Sequence, residues 1–304
     1  MSKTKYQIIL FILSPTLILS FALAYKIKND WLNTTGVQFT EVPLANSSQA
    51  TNLKEGEKQA FITQAIETIP KDALGESILR GKNYLENTKE TLPHYVGAKM
   101  NCTSCHLSSG QQQLAGPWVG ITARFPQYRS RSGKVDTLPD RVNDCFERSL
   151  NGKRLPENSS YMTDIIAYMT WLSKGYKVGF DVTGSGMPKL KIDRAPNIEN
   201  GKKVYANKCA SCHQANGQGL FSDNGKIIYP ALWGKDSFNV GAGMARLHTA
   251  AGFVKYNMPL GQGGSLTQDE AWDVAAYFTT QPRPDFKKKI NDWLKGDKPS
   301  DARY

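Results

Sequence analysis

The chain has 304 residues, which is long enough for two domains of ordinary size. It contains 38 lysine and arginine residues against 27 aspartate and glutamate residues, so its formal net charge is +11. The basic residues are not arranged as a recognition helix with base-reading side chains, and we therefore expect no nucleic-acid partner. The positive excess instead favours anionic small molecules or an acidic protein as partners.

The N-terminus has the pattern of an export signal. Basic residues precede an apolar run from Ile8 to Tyr25, and Ala22-Leu23-Ala24 offers a small-residue cleavage site. We interpret residues 1–24 as a signal peptide, with an uncleaved membrane anchor as the alternative, because the run is at the short end for a membrane span. Residues 25–60 are polar and are interpreted as a linker. The rest of the chain is therefore expected in the periplasm.

A C-x-x-C-H pentad occurs twice, at residues 102–106 and at residues 209–213. Two thiols at this spacing lie on one turn of chain and can both attach to the vinyl groups of a c-type haem. The cysteines predicted to attach haem are Cys102, Cys105, Cys209 and Cys212. The histidine of each pentad, His106 or His213, is predicted as the proximal iron ligand. A thioredoxin-like dithiol is the alternative, but no βαβ pattern surrounds either pentad, so we predict two haem c groups.

The two pentads lie within a longer internal repeat. An amphipathic helical pattern that begins at Gly75 precedes the first pentad, and a similar pattern that begins at Gly201 precedes the second. The segment from Asp164 to Thr170 matches the segment from Asp273 to Thr279, and both are predicted as helices. This order of elements resembles the cytochrome c fold. We therefore predict a mainly α-helical protein with two cytochrome c-type domains in tandem.

The predicted domain boundaries follow from the repeat. The first domain is predicted at residues 61–180 and contains the active-site haem, and the second is predicted at residues 198–304 and contains the electron-transfer haem. Residues 181–197 belong to a stretch rich in glycine and lysine and are predicted as the linker. A charged tail from Pro282 to Tyr304 ends the second domain.

Each haem iron needs a distal ligand or an open position. Cys145 and Met258 precede the last helix of their copies by similar distances, so they occupy matching places in the repeat. A thioether from Met258 would raise the potential of the second haem, and a thiolate from Cys145 would stabilise the ferric state of the first. Met244 and His248 are the alternatives for the second iron. Cys145 could also be a buried, inert cysteine or form an intermolecular disulfide.

Basic residues are concentrated around Cys145. The segment from Gly116 to Arg154 contains eight basic residues and four acidic ones. The basic residues are Arg124, Arg129, Arg131, Lys134, Arg141, Arg148, Lys153 and Arg154. Arginine binds oxyanions through charge-assisted hydrogen bonds and favours thiolate over thiol. A solvated basic loop has the same composition and is the alternative for any single arginine.

Several stretches together are similar to the dihaem c-type thiosulfate dehydrogenases over about residues 75–304. The run from Ala123 to Lys153 is the most specific of them. The others are Cys102 to Leu107, Gly116 to Gly120, Cys209 to His213, Gly241 to Met244, Asn257 to Pro259 and Gln281 to Phe286. Members of this family oxidise two thiosulfates to tetrathionate, and some run the reverse reaction. The resemblance implies thiosulfate or tetrathionate as substrate and a soluble or membrane-bound cytochrome c-type electron partner.

The resemblance also implies roles for individual residues. The iron ligands that it implies are His106 and Cys145 for the first haem and His213 and Met258 for the second. The catalytic residues that it implies are Cys145, Arg131, Arg141 and Ser149. Carbonyls of Pro117 and Pro230 would fix the proximal imidazoles. In some members a lysine lies directly before the methionine, and the two residues replace each other as iron ligand when the redox state changes. Here that position is Asn257, so no such ligand exchange is expected.

Two other functions would use the same pentads. A non-enzymatic dihaem electron-transfer cytochrome would need neither Cys145 nor the arginines around it. A dihaem peroxidase would need a releasable distal site and a nearby acid-base group, and the sequence shows no obvious pair of distal histidines.

Overall fold

The computed structural model describes residues 57–304, and these residues are mainly helical. The predicted signal peptide or anchor lies outside the described residues, as does most of the segment 25–60. Within residues 57–304 no helix is long and apolar enough to cross a membrane. The longer helices are α1 (Ala73–Glu86), α2 (Leu138–Arg148), α3 (Ser160–Leu172), α4 (Ile198–Lys208), α5 (Leu247–Asn257) and α6 (Gln268–Thr280).

Short elements connect these helices. The single-turn α-helices are Thr88–Thr91, Leu107–Gly110 and Ala210–His213, and the 3₁₀ turns are Ile66–Thr68, Pro93–Tyr95, Cys102–Ser104, Ile121–Ala123, Gly243–Ala245 and Lys287–Asn291. The strands are β1 (Gln127–Arg129), β2 (Lys134–Asp136), β3 (Leu220–Phe221) and β4 (Ile227–Tyr229). They form two antiparallel hairpins, β1 with β2 and β3 with β4.

The same type of helix crossing occurs in each half of the chain. Helix α1 packs against α3 in the first half, and α4 packs against α6 in the second. A glycine lies at each crossing, because a Cβ atom on Gly81 would lie 1.9 Å from the carbonyl oxygen of Asp164, and one on Gly201 would lie 2.1 Å from that of Asp273. Both aspartate side chains are buried and accept hydrogen bonds from polar side chains of α1 or α4. The predicted internal repeat is therefore confirmed.

Residues 181–197 form a connector that lies against both halves. The Gly116 N–H donates to the Gly186 carbonyl at 2.9 Å, which ties the connector to the first half. The Leu190 N–H donates to the His248 carbonyl at 2.9 Å, which ties it to the second. These backbone bonds hold the connector in place, so it does not act as a free tether.

The C-terminal tail also lies against the first half. Its composition predicts a charged, solvated segment, but Phe286 and Trp293 are buried. The Trp293 N–H donates to the Arg131 carbonyl at 2.8 Å, and the Asp292 carboxylate pairs with Arg148 at 2.9 Å. The two aromatic side chains anchor the tail. The lysine-rich composition of the tail does not predict this burial.

We expect Gly81→Ala and Gly201→Ala to destabilise their respective domains. A methyl group at either position would overlap a backbone carbonyl, and overpacking of this kind costs about 1–3 kcal/mol in unfolding free energy. The measurement is denaturant unfolding of the holo-protein, with Lys203→Ala on the exposed face of α4 as the control. Unfolding midpoints equal to that of the control would contradict the close helix crossing.

Candidate active site and haem cavities

The first pentad opens into a cavity of about 320 Å³. Cys102, Cys105 and His106 line it, and apolar side chains supply most of the remaining wall. The ring Nδ1 of His106 donates to the Gly116 carbonyl at 2.5 Å, which leaves Nε2 free for an iron. Two thiols, a free ring nitrogen and apolar walls therefore converge as a covalently attached haem requires.

The second pentad opens into a cavity of about 280 Å³. Cys209, Cys212 and His213 line it together with Met258, which directly follows α5. The ring Nδ1 of His213 donates to the Pro230 carbonyl at 2.9 Å. Burial lowers the pKa of His213, which favours the neutral imidazole that an iron ligand needs. This cavity also fits a haem, with sulfur available opposite the histidine.

The alternative ligands for the second iron differ in position. Met244 lines both cavities, so it lies between them and is also within reach of the second haem site. His248 is stacked on Trp272 with ring centroids 5.6 Å apart and lines neither cavity. Met258 therefore stays the predicted ligand, with Met244 as the alternative that the geometry allows.

The proximal carbonyls correct one prediction. Pro230 supplies its carbonyl to His213 as predicted, but in the first domain Gly116, and not Pro117, accepts the bond from His106. The loop between histidine and carbonyl is shorter in the first copy, so matching the two loops by their prolines placed the acceptor one residue too late.

Helix α2 places an arginine beside the cavity thiol. The helix begins with a capping box in which Thr137 and Asp140 bond each other's backbone N–H groups. Arg141 and Cys145 are then one turn apart on the same face, and Nη1 of Arg141 donates to the Cys145 sulfur at 3.0 Å. The reactive pair is therefore set by local helix geometry.

This pairing gives Cys145 a lower pKa than the other thiols of the cavity. Burial acts to raise the pKa of Cys145, but the charge of Arg141, with a smaller contribution from the neighbouring His106, outweighs it and lowers the pKa to about 7. Burial raises the pKa of Cys102 and of Cys105 to about 12. Cys145 is thus poised as a thiolate that faces the proximal histidine.

The predicted substrate residues are only partly brought together. Arg141 and Ser149 line the first cavity with Cys145, and the Ser149 N–H caps α2 on the Cys145 carbonyl. Arg131 does not line it: its Nη1 donates to the Gly241 carbonyl at 2.7 Å, and its guanidinium stacks 4.6 Å from the Trp293 ring centroid. The predicted substrate contact of Arg131 therefore stays a prediction without geometric support.

Two cationic residues of the cavity were missed by sequence reasoning. Lys189 of the connector and Arg246 of the second domain line it, although neither belongs to the first domain. Both are distant in sequence from Cys145, so a count of charges around that cysteine could not find them.

The two cavities are neighbours. Met100, Asn101, Cys105 and Met244 line both of them. Because Cys105 is an attachment site of the first haem, the first haem would be bound at the wall of the second cavity.

Comparison with known proteins agrees with this geometry. Residues 94–178 match the SoxA/TsdA cytochrome c domain, and residues 198–282 match the cytochrome c family. The chain is 48% identical over 236 residues to the thiosulfate dehydrogenase of Psychrobacter arcticus. This match covers 78% of this chain and 72% of that protein. It is 46% identical over 237 residues to that of Allochromatium vinosum, with 77% and 88% covered.

A solved structure is also similar. The as-isolated form of the thiosulfate dehydrogenase TsdBA from Marichromatium purpuratum superposes with a TM-score of 0.72 and 34% identity. The match covers 81% of this chain, and the chain spans about half, 52%, of the length of that one.

The predicted fold class and cofactors are confirmed. The protein has two tandem cytochrome c domains, and these imply two covalently bound haem c groups. Similarity to enzymes over most of the chain argues against a non-enzymatic electron-transfer cytochrome. The chain belongs to the thiosulfate dehydrogenase family.

Proposed function

We propose that the protein joins two thiosulfate anions into tetrathionate in the first haem cavity, or runs this chemistry in reverse, and exchanges the electrons with a cytochrome c-type partner. The observation that carries the proposal is the 3.0 Å contact between the Arg141 guanidinium and the Cys145 sulfur in the cavity that His106 lines. A cation-stabilised thiol at the distal side suits sulfur chemistry, whereas simple electron transfer has no use for it.

The charge of the substrate explains the basic wall. Thiosulfate is a dianion, so joining two of them brings like charges together, and the site must supply positive donors where that charge collects. Arg129 and Arg141 line the cavity on the side of Cys145, and the Ser149 hydroxyl adds a neutral donor. We assign these residues to binding the sulfonate oxygens, with the outer sulfur directed at Cys145.

Cys145 has two proposed roles. When bound, the two haems supply one-electron centres that together hold the two electrons released when two thiosulfates join. Cys145 is the proposed distal ligand of the first iron and the thiol that reacts with substrate sulfur. Its thiolate would bond to the outer sulfur of one thiosulfate as two electrons are released, and the second thiosulfate would then displace the Cys145 thiolate to form tetrathionate. Arg141 stabilises the negative charge on that sulfur whenever the thiolate is not bound to iron.

The shared wall supports passage of electrons from the first site to the second. Cys105 and Met244 line both cavities, so the two haem sites are separated by single side chains there. Met258 is the proposed ligand that gives the second haem the higher potential. Electrons from substrate oxidation therefore move towards the second domain.

The rim of the second cavity is the proposed exit. Lys208 and Lys226 line it, and Ile228 and Leu260 line it with half of their surface or more exposed. A basic rim with an apolar centre complements an acidic cytochrome c-type partner. We place this exchange in the periplasm, because the predicted export signal at residues 1–24 would direct the chain there.

Cys145→Gly tests the proposed function. We expect the variant to retain both haems, since the four pentad cysteines remain, and to lose thiosulfate oxidation and tetrathionate reduction by orders of magnitude. Haem content by mass spectrometry and turnover in both directions measure this. Met258→Gly is the contrast, because it should lower the potential of the second haem and leave the thiolate signal of the first. Near-normal turnover of Cys145→Gly would refute the catalytic role.

Arg141→Gln should reduce thiosulfate turnover about ten- to a hundredfold. The reason is that a charge-assisted hydrogen bond is worth roughly 1.5–3 kcal/mol. Steady-state kinetics measure the loss, and the matched variant Arg131→Gln should cost much less because Arg131 does not line the cavity. Equal losses in the two variants would contradict this placement of Arg131 and restore the role that the family resemblance implies.

A further inference from the structure

The first haem cavity has a wall that does not belong to the first domain. Gly243, Met244, Arg246 and Thr249 of the second domain line it, and so does Lys189 of the connector. Arg246 is the residue directly before α5, and Thr249 lies in the first turn of that helix. The second domain therefore contributes side chains to the site at which Cys145 reacts.

The charge of this cavity is one-sided. Its described lining contains no aspartate or glutamate, and it contains five cationic side chains. These are Arg124, Arg129, Arg141, Lys189 and Arg246. Arg124 pairs with Asp181 and Arg141 bonds Cys145, so part of the charge is already compensated within the protein.

Arg246 is not compensated. Its side chain forms no hydrogen bond or ion pair within residues 57–304, and its Nε atom is buried without a partner. Its charge also acts on Arg131, where burial together with the charges of Arg148 and Arg246 lowers the pKa to about 10. A buried guanidinium N–H without an acceptor is costly, and a second cation nearby increases that cost. This arrangement favours an anion that enters from outside the protein.

We propose that Arg246 binds a sulfonate group of the substrate at the first haem, so that the second domain completes the active site. The inference rests on the proposed function, and it names a specificity residue for it that belongs to the second domain, whereas Arg141 belongs to the first. Two thiosulfate dianions must approach each other to couple, so the site needs more than one cation to hold them. Arg246 supplies a further cation from the second domain in the lining of the same cavity.

A carboxylate of the haem would also satisfy a guanidinium. A haem carboxylate and a substrate sulfonate would accept the same hydrogen bonds from Arg246, but the loss of Arg246 would have different effects in the two cases. A substrate contact affects thiosulfate affinity, whereas a contact to a haem carboxylate affects the potential of that haem even when no substrate is present. The experiment below separates these sources.

The test uses the full-length holo-protein with Arg246→Gln, Arg246→Lys and the control Lys153→Gln. Lys153 is an exposed cation of the first domain that does not line the cavity, so its loss changes net charge alone. The readouts are KM and kcat for thiosulfate, the thiosulfate concentration that half-saturates the spectral change of the oxidised enzyme, and the potential of the first haem.

We expect Arg246→Gln to raise KM and the half-saturating thiosulfate concentration ten- to a hundredfold. Arg246→Lys should recover part of the affinity, which also shows that the site tolerates substitution. Unchanged affinity in Arg246→Gln overturns the inference. A shifted first-haem potential with unchanged affinity also overturns it and assigns Arg246 to the haem. Failure of the wild-type protein both to oxidise thiosulfate and to reduce tetrathionate would instead refute the proposed function.

Discussion

A buried sulfur anion needs a cation beside it, and the first domain is built around this constraint. Removing a thiolate from water is unfavourable unless an opposite charge replaces the lost hydration. Arg141 meets this need at 3.0 Å from Cys145, one helical turn earlier on α2. Because both residues belong to one helix, their contact depends on local geometry and on the capping box at Thr137. The reactive pair thus forms without help from the second domain.

The rest of the molecule is one framework used twice. The same glycine crossing, at Gly81 and at Gly201, brings together the first and last helices of each copy. Each proximal histidine donates to a loop carbonyl, which orients its ring towards the cavity. The copies differ on the distal side, where one offers a thiol within a helix and the other a thioether directly after one. We propose that this difference assigns substrate chemistry to the first domain and electron transfer to the second.

Much of this arrangement could be predicted from local sequence. The pentads, the repeat and the spacing of Arg141 and Cys145 depend on residues that are close in the chain. The acceptor at Gly116 was missed because the loops of the two copies differ in length. The family resemblance implies a substrate contact for Arg131, which stays a prediction, since neither the resemblance nor a count of charges can tell which arginines line a cavity and which stack on Trp293. Arg246 reaches the site only through contact between domains, and no local pattern can report that.

The packed connector and tail explain why such a contact can exist. Leu190 bonds the second domain, Gly186 bonds the first, and Asp292 of the tail pairs with Arg148 of the first. These bonds tie the wall that contains Arg246 to the wall that contains Cys145. Residues of both domains therefore line the first haem cavity, although the cysteines predicted to attach its haem belong to the first alone.

We propose Cys145 as the distal ligand of the first haem, with His106 as the other ligand. Near-infrared magnetic circular dichroism of the oxidised wild-type protein can distinguish this ligand, because histidine–thiolate and histidine–methionine ligation give different charge-transfer bands. We expect one low-spin haem of each type in equal amounts. Two histidine–methionine haems, or a first haem that is high-spin without a sulfur ligand, would contradict it.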